Sequence, residues 1–430
     1  MRVRPHNVSN RGQGAHRSLD STTVEQFEAV VVGGGQAGLA ASHQLTQQGV
    51  EHVVLERRRI GQSWRDRWDS FCLVSPNWFI QLPGGAYAGD DADGFLPRDD
   101  VVAHLEGYRT AHALPVREGV QALSVERGDE EFHLRTTAGD LQGRFLVLAT
   151  GAYQRPYRPP AAATLPSSLL QMDVDDYRNP SGLPTGRVLM IGSGQSGCQI
   201  AEELHEAGRE VVLSCGKAPW VSRRVGGRDI FHWFVDTGFL AEPVETLPAP
   251  AAKLAANPIA TGRGGGHDLD LRVLRAKGIT LVGHFLGAAS GEARFAGDLA
   301  ESVAWGDERH GQLADGIRKT AAELGYPDPE IPDPEPFDPT SPERVSLDGF
   351  GAVIFAGGFR PSYQSWLPWR DAFDDLGFPI QREGASTVVD GLYFVGVHWL
   401  RRRKSALLYG VGEDAAIVAR AIAQEVRRPA

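Results

Sequence analysis

One pattern occurs twice in this chain and limits its fold more than any other feature. The run Glu28–Val32 is short and β-branched and reads as a buried strand. Gly33-Gly34-Gly35-Gln36-Ala37-Gly38 follows, then a helical stretch, Leu39–Gln48, closed by Gly49. A second strand, Val50–Leu55, ends at Glu56. The same order returns as strand Arg187–Ile191, turn Gly192-Ser193-Gly194-Gln195-Ser196-Gly197, helix Cys198–Ala207 closed by Gly208, and strand Glu210–Leu213 ending at Ser214. Each copy is a βαβ unit with its glycines at the strand-to-helix turn. The first glycine makes the turn, the second removes a side chain so that a pyrophosphate reaches backbone N–H groups, and the third lets helix and strand pack closely. The phosphate then lies at the positive end of the helix dipole. One such motif is weak evidence; two in full strand–turn–helix–strand context are strong. The expected fold class is α/β, with two Rossmann-like, doubly wound dinucleotide-binding domains.

A length of 430 residues suits two or three domains. With 51 glycines the chain exceeds the usual share of about 7%, which points to loops that bring backbone close to a ligand. No apolar run reaches the roughly 18 residues of a membrane span. Met1–Gln26 has no apolar core of a secretory signal and reads, to about residue 27, as a disordered tail. Cys72, Cys198 and Cys215 form no CxxC pair and no metal-ligand spacing, so a redox dithiol and a metal site are not expected and the compartment reads as cytoplasmic. A net charge of -10 argues against general nucleic-acid binding.

The two copies differ in chemistry. Glu56, with Arg57 beside it, stands where an acid hydrogen-bonds a free ribose diol, which suits FAD or NAD. Ser214 takes the equivalent place in the second copy, leaving no carboxylate to repel a 2′-phosphate. Lys217, Arg223, Arg224 and Arg228 lie just downstream. They are either a 2′-phosphate site or a solvated loop. Site one therefore reads as FAD and site two as NADPH. Further strand-end turns occur at Ala149-Thr150-Gly151, at Gly357-Gly358-Phe359-Arg360-Pro361 and at Gly396 in the strand Gly391–His398. Pro327–Pro342 reads as an exposed loop, and Ser405–Ile422 as a helix.

With these residues the chain resembles the flavin-containing monooxygenase superfamily, and its CzcO-like bacterial branch in particular. The resemblance also covers Trp64-Arg65-Asp66-Arg67-Trp68, Leu73–Asn77, Arg223–Trp233 and Ser405–Ile417, and runs from about Ala29 to Ile422. It implies an FAD site of Gly33, Gly35, Gln36, Ala37, Gly38, Glu56, Arg57, Trp64, Arg65, Trp68, Asn77, Thr150, Gly151, Gly396, Ser405 and Leu408. It implies an NADPH site of Gly192, Gly194, Gln195, Ser196, Gly197, Ser214, Lys217, Arg223 and Arg224. Asn77 resembles an Asn near the flavin ring whose amide can bond a peroxyflavin, and is the catalytic candidate; the bland alternative is a turn Asn after Pro76. The helix expected from Ser405 would stabilise negative charge on the flavin, with Lys404 adding charge. The implied activity is NADPH-consuming monooxygenation of a small organic molecule by O2 through a C4a-(hydro)peroxyflavin.

One motif departs from the family. Its Phe-x-Gly-x-x-x-His-x-x-x-Tyr signature, aligned on Tyr177, places Ser167, Leu169 and Asp173 at the Phe, Gly and His positions. This counts against a typical sulfur- or amine-oxygenating member and against a Baeyer–Villiger enzyme. It leaves two alternatives: an NADPH oxidase or flavin reductase without oxygen transfer, and a non-catalytic redox-binding protein. His398 reads as an acid–base group or a structural residue. Asp173, Asp175 and Asp176 read as holders of a cationic substrate or as a turn surface. Trp220, Trp233, Trp366, Trp369 and Trp399 read as pocket lining or core. The expected architecture is an FAD domain of residues 28–160 and 342–430 with an NADPH domain, 161–341, inserted. A homo-oligomer is compatible with it.

Overall fold

The computed structural model describes residues 24–428. Of the expected tail, residues 1–23 lie outside the described residues, while Glu25–Phe27 already belong to the first strand, Glu25–Val32. That strand is central in a parallel set ordered Leu392–Phe394, Gly139–Leu148, Glu25–Val32, His52–Glu56 and Val116–Glu118. The antiparallel strands Ala122–Arg127 and Phe132–Thr136 extend from Gly139–Leu148. Both faces of the sheet are covered, which is why Val30–Val32, Val53–Leu55 and Leu146–Leu148 are apolar without alternation. Helices Gln36–Gln47, Arg98–Ala111 and Val411–Val426 supply side chains to one face.

The second domain repeats the plan. Its parallel sheet runs Leu170–Asp173, Phe350–Phe355, Arg187–Ile191, Val211–Ser214 and Thr280–Val282. This corrects the expected boundary at residue 342. Phe350–Phe355 pairs on both sides within the second sheet, so the chain returns to the first domain only after it. The two crossings between domains pair with each other: Arg155–Pro156 lies antiparallel to Phe359–Arg360, and Tyr157 N–H donates to the Gly358 carbonyl at 2.9 Å.

Two further expectations shift. The C-terminal helix begins at Val411, because residues 403–406 form a separate 3-10 turn and Leu407 is extended. Residues 327–342 are irregular as expected, but they are anchored: Arg272 Nε donates to the Glu335 carbonyl at 2.7 Å and Ile331 is buried. Residues 239–254, which follow the second fingerprint, turn back onto the first domain. Arg403 pairs with Glu242 at 2.6 Å, Val244 N–H donates to Arg401, and Leu254 packs against the first core.

Candidate active site

The glycine turns show why these residue types are needed. Gly33 has φ +114° and Gly192 φ +113°, and a Cβ would stand 2.6 Å from the Ala149 carbonyl oxygen and 2.5 Å from that of Ala356 respectively. A Cβ on Gly38 would collide with the Gly33 carbonyl, and one on Gly197 with that of Gly192. The middle glycines behave differently. A Cβ on Gly35 or on Gly194 would meet nothing within 4 Å. Each lies at a helix start, Gln36 and Gln195, with no side-chain cap on the exposed N–H groups. Two bare helix N-termini with open space over a glycine are what a pyrophosphate requires, so the residues present fit two dinucleotides. Gly151 (φ +67°) and Gly396 (φ +78°) face each other beside the first of these spaces, and a Cβ on Gly396 would collide with Ala37.

Glu56 is buried and clamps the first turn: Oε2 accepts from Gly34 N at 2.7 Å and Oε1 from Arg58 N at 2.9 Å. A carboxylate accepts about four hydrogen bonds, so a ribose diol can still be held. Arg57 is exposed. The register corrects the equivalence of Glu56 and Ser214. Gly33 N donates to Leu55, and Gly192 N donates to Ser214; Ser214 thus matches Leu55, and Glu56 is matched by Cys215. Ser214 Oγ donates to the Gly283 carbonyl at 2.9 Å inside the sheet. Burial pushes the Cys215 thiol up to about 12, so the acid's place holds a neutral group. Where the first copy has Gly34 the second has Ser193, whose Oγ accepts from Gly216 N at 3.0 Å.

The basic cluster separates into unlike residues. Arg223 is 1% exposed, pairs with Asp229 at 2.8 Å, donates to the Val74 carbonyl at 2.7 Å and lies over Phe95. This corrects its assignment to the NADPH phosphate: its charge is consumed inside the fold. Arg228 pairs with Asp236 and lies over Trp233. Lys217 is exposed with no ionic partner among the described residues, and exposed Arg224 donates only to the Gly265 carbonyl at 3.2 Å. These two remain open to a phosphate.

Other expected contacts are also spent within the protein. Asn77 is 2% exposed; its Nδ2 donates to the Asp91 carbonyl at 2.9 Å and its Oδ1 accepts from Leu96 N at 2.7 Å. The amide offered to a flavin adduct instead pins the 91–96 loop, so a positioning role replaces the catalytic one. Arg65 pairs with Glu106, and Trp68 is buried edge-on against Phe71. Gln36 and Gln195 are loop clamps: Gln36 Nε2 donates to the Ala406 carbonyl and Gln195 bonds both backbone groups of Ala260. Trp64 is half-buried and donates to Gln36 Oε1 at 3.0 Å. Thr150 Oγ1 accepts from Gln154 at 2.9 Å, and Ser196 stays half-buried on the second helix. Ser405 Oγ accepts from Arg401 N and Arg402 N, and Leu408 lies in the first core. With the helix starting at Val411, the dipole expected at Ser405 lies elsewhere, and Lys404 pairs with Glu413. Trp233 and Trp399 are buried, Trp220 stacks on His310 at 3.8 Å, and Trp366 and Trp369 pack on the first core; all five read as core.

The residues at the departing motif have defined roles. Tyr177 is fully buried and donates to Glu203 Oε2 at 2.9 Å, while Ser70 of the first domain donates to Oε1 at 2.7 Å. The kept Tyr therefore joins the domains through Glu203. Asp173 is held by Arg158 at 2.7 and 3.0 Å. His398 stacks on Tyr153 at 4.9 Å, and burial pushes its imidazolium down to about 4, so the ring is neutral at neutral pH. Among the described residues no helix is long and apolar enough to cross a membrane, and no cluster of three or more metal-ligand side chains occurs.

Comparisons with known proteins agree with this geometry. Residues 30–226 match the family model described as pyridine nucleotide-disulphide oxidoreductase. The chain is 32% identical over 390 residues to the CzcO-like oxidoreductase of Geobacillus kaustophilus, covering 90% of this chain and 96% of that protein. It is 30% identical over 181 residues to the indole-3-pyruvate monooxygenase YUCCA1 of Oryza sativa subsp. japonica, covering 41% of this chain and 44% of that one. The flavin-containing monooxygenase from Stenotrophomonas maltophilia shares the fold at a TM-score of 0.67 and 22% identity, over 94% of this chain and 100% of that one. Two glycine cradles in the expected order, joined to a match over 90% of the chain, place the chain in the CzcO-like oxidoreductase family.

Proposed function

We propose that the protein is an FAD-dependent, NADPH-consuming monooxygenase of a small organic molecule, with O2 as co-substrate and transfer through a C4a-(hydro)peroxy adduct. The observation that carries this reading is the pair of open cradles at Gly35 and Gly194 on two domains joined by paired crossings. FAD, when bound, supplies hydride acceptance from NADPH and activation of O2. Gly33–Gly38 and Glu56 would hold it, with Thr150, Gly151 and Gly396 beside it. Gly192–Gly197, Lys217 and Arg224 would hold NADPH. The protein's own work is to bind, to orient and to exclude water from the space between the domains. Three unpaired cysteines suit a reducing, cytoplasmic setting. Asp173, fixed by Arg158 where the family places His, favours one second reading, an NADPH oxidase that releases H2O2.

Anaerobic reduction of the bound flavin tests the cofactor assignment. NADPH is expected to reduce it faster than NADH; equal rates would contradict the phosphate site. Lys217→Ala should lower kcat/KM for NADPH about ten-fold, the scale of one charge-assisted phosphate contact, and leave NADH unchanged. The double change Ser193→Gly and Cys215→Glu rebuilds the Gly34–Glu56 contact in the second copy. It is expected to move preference from NADPH towards NADH through repulsion of about 1–4 kcal/mol.

A further inference from the structure

Four polar groups lie on segments that meet at the seam between the domains: Arg67, Asp175, Tyr153 and His398. Arg67 is half-buried, and among the described residues its guanidinium makes no hydrogen bond or ion pair. Asp175 of the second domain is half-buried, and its carboxylate likewise has none. Tyr153 keeps 54% of its surface open, yet surrounding protein pushes its phenol up. His398 stacks on Tyr153, and its Nδ1 is buried without a partner.

The backbone holds these groups in place. Asp69 N donates to the Arg178 carbonyl at 2.8 Å, Asn179 Nδ2 to Asp69 Oδ2 at 2.7 Å, and Arg98 to the Arg67 carbonyl at 2.9 Å. Arg178 bonds the carbonyls of both Asp66 and Asp175. Arg67 and Asp175 are thereby brought within each other's field, which favours both charges against burial. They still do not meet. The neighbouring acids are accounted for: Asp66 pairs with Arg58, Asp173 with Arg158, and Asp176 is exposed. Two half-buried, unpaired opposite charges on segments that Arg178 ties together are satisfied together by a ligand carrying the complementary pair. Tyr153, stacked on His398 and 5.6 Å from Phe359, presents an exposed aromatic ring at the same seam.

We propose that this seam is the substrate subsite and takes an aromatic α-amino-acid zwitterion, its carboxylate on Arg67 and its ammonium on Asp175. The inference rests on the oxygenase reading, since the ligand would be that enzyme's substrate.

Three probes of similar size test it on the FAD-loaded, full-length protein: L-phenylalanine, 3-phenylpropionate and 2-phenylethylamine. Binding is read from perturbation of the flavin absorbance and by calorimetry, neither of which needs turnover. L-phenylalanine is expected to bind at least roughly ten-fold tighter than either singly charged probe. Arg67→Met should weaken L-phenylalanine and 3-phenylpropionate roughly ten-fold and spare the amine. Asp175→Asn should weaken L-phenylalanine and the amine and spare the acid. Both variants should keep wild-type flavin content, which reports folding. Equal binding of all three probes, equal losses in both variants, or an effect on NADPH affinity alone would overturn the subsite. Normal reduction by NADPH without probe binding would overturn the subsite and leave the oxygenase reading standing. Protein that takes up no flavin would overturn the oxygenase reading, and calorimetry would still read the subsite.

Discussion

Gly35→Ala is expected to give a folded protein that has lost its flavin, and Gly194→Ala a yellow protein that NADPH no longer reduces. Both positions have backbone dihedrals that alanine adopts, φ -83° and -76°, and a methyl there meets nothing in the protein. The fold should therefore survive. The methyl instead projects into the space over the helix N-terminus, where a pyrophosphate must approach the N–H groups. Overpacking of this kind costs about 1–3 kcal/mol, or roughly 5- to 150-fold in affinity. Flavin-to-protein ratio after purification checks the first variant, and NADP+ affinity with intact flavin content checks the second. If Gly194→Ala kept wild-type NADP+ affinity, the second cradle would not be a nucleotide site.

Arg223→Ala should be the most destabilising single change in the second domain, and should act through stability rather than NADPH affinity. Removing the guanidinium leaves Asp229, 4% exposed, as an uncompensated buried charge, and opens a hole beneath Phe95. Breaking a buried pair in this way costs about 3–5 kcal/mol. Denaturant unfolding should show the loss, while NADPH KM in the surviving folded fraction stays within about two-fold. A rise in NADPH KM without loss of stability would return Arg223 to the phosphate site.

Arg223 also shows what was legible in the sequence. Basic residues after the second βαβ unit suggested a phosphate site because charge is visible in a sequence and its partner is not. A signal for the partner existed. Gly226 and Gly227, with φ +56° and +75°, make a two-residue hairpin that sets Arg224 against Asp229 and Val225 against Arg228. Read as a turn, that Gly-Gly step brings the Asp229 carboxylate back beside the Arg223 side chain.

The two βαβ units were legible for the opposite reason. Their glycines answer to backbone collisions a few residues away, at Gly33 and Gly192, together with carbonyls at the ends of neighbouring strands. Local sequence specifies the turns but not the pairing register: spacing sets Glu56 against Ser214, whereas in the sheet its counterpart is Cys215. The helix expected at Ser405 failed similarly. Residues 403–406 have helical composition, but Ser405 Oγ draws in two backbone N–H groups and the chain straightens at Leu407. The return of residues 239–254 onto the first domain and the facing of Arg67 and Asp175 depend on contacts between distant segments. No periodicity announces such contacts.

The reaction of the reduced protein with O2, in rapid mixing with and without NADP+, tests the monooxygenase assignment most directly. The assignment predicts a C4a-adduct absorbance that forms quickly, persists when NADP+ is bound, and decays faster when a substrate accepts the oxygen. Reoxidation without that absorbance, yielding one H2O2 per flavin whether or not NADP+ is present, would contradict it and make the protein an NADPH oxidase.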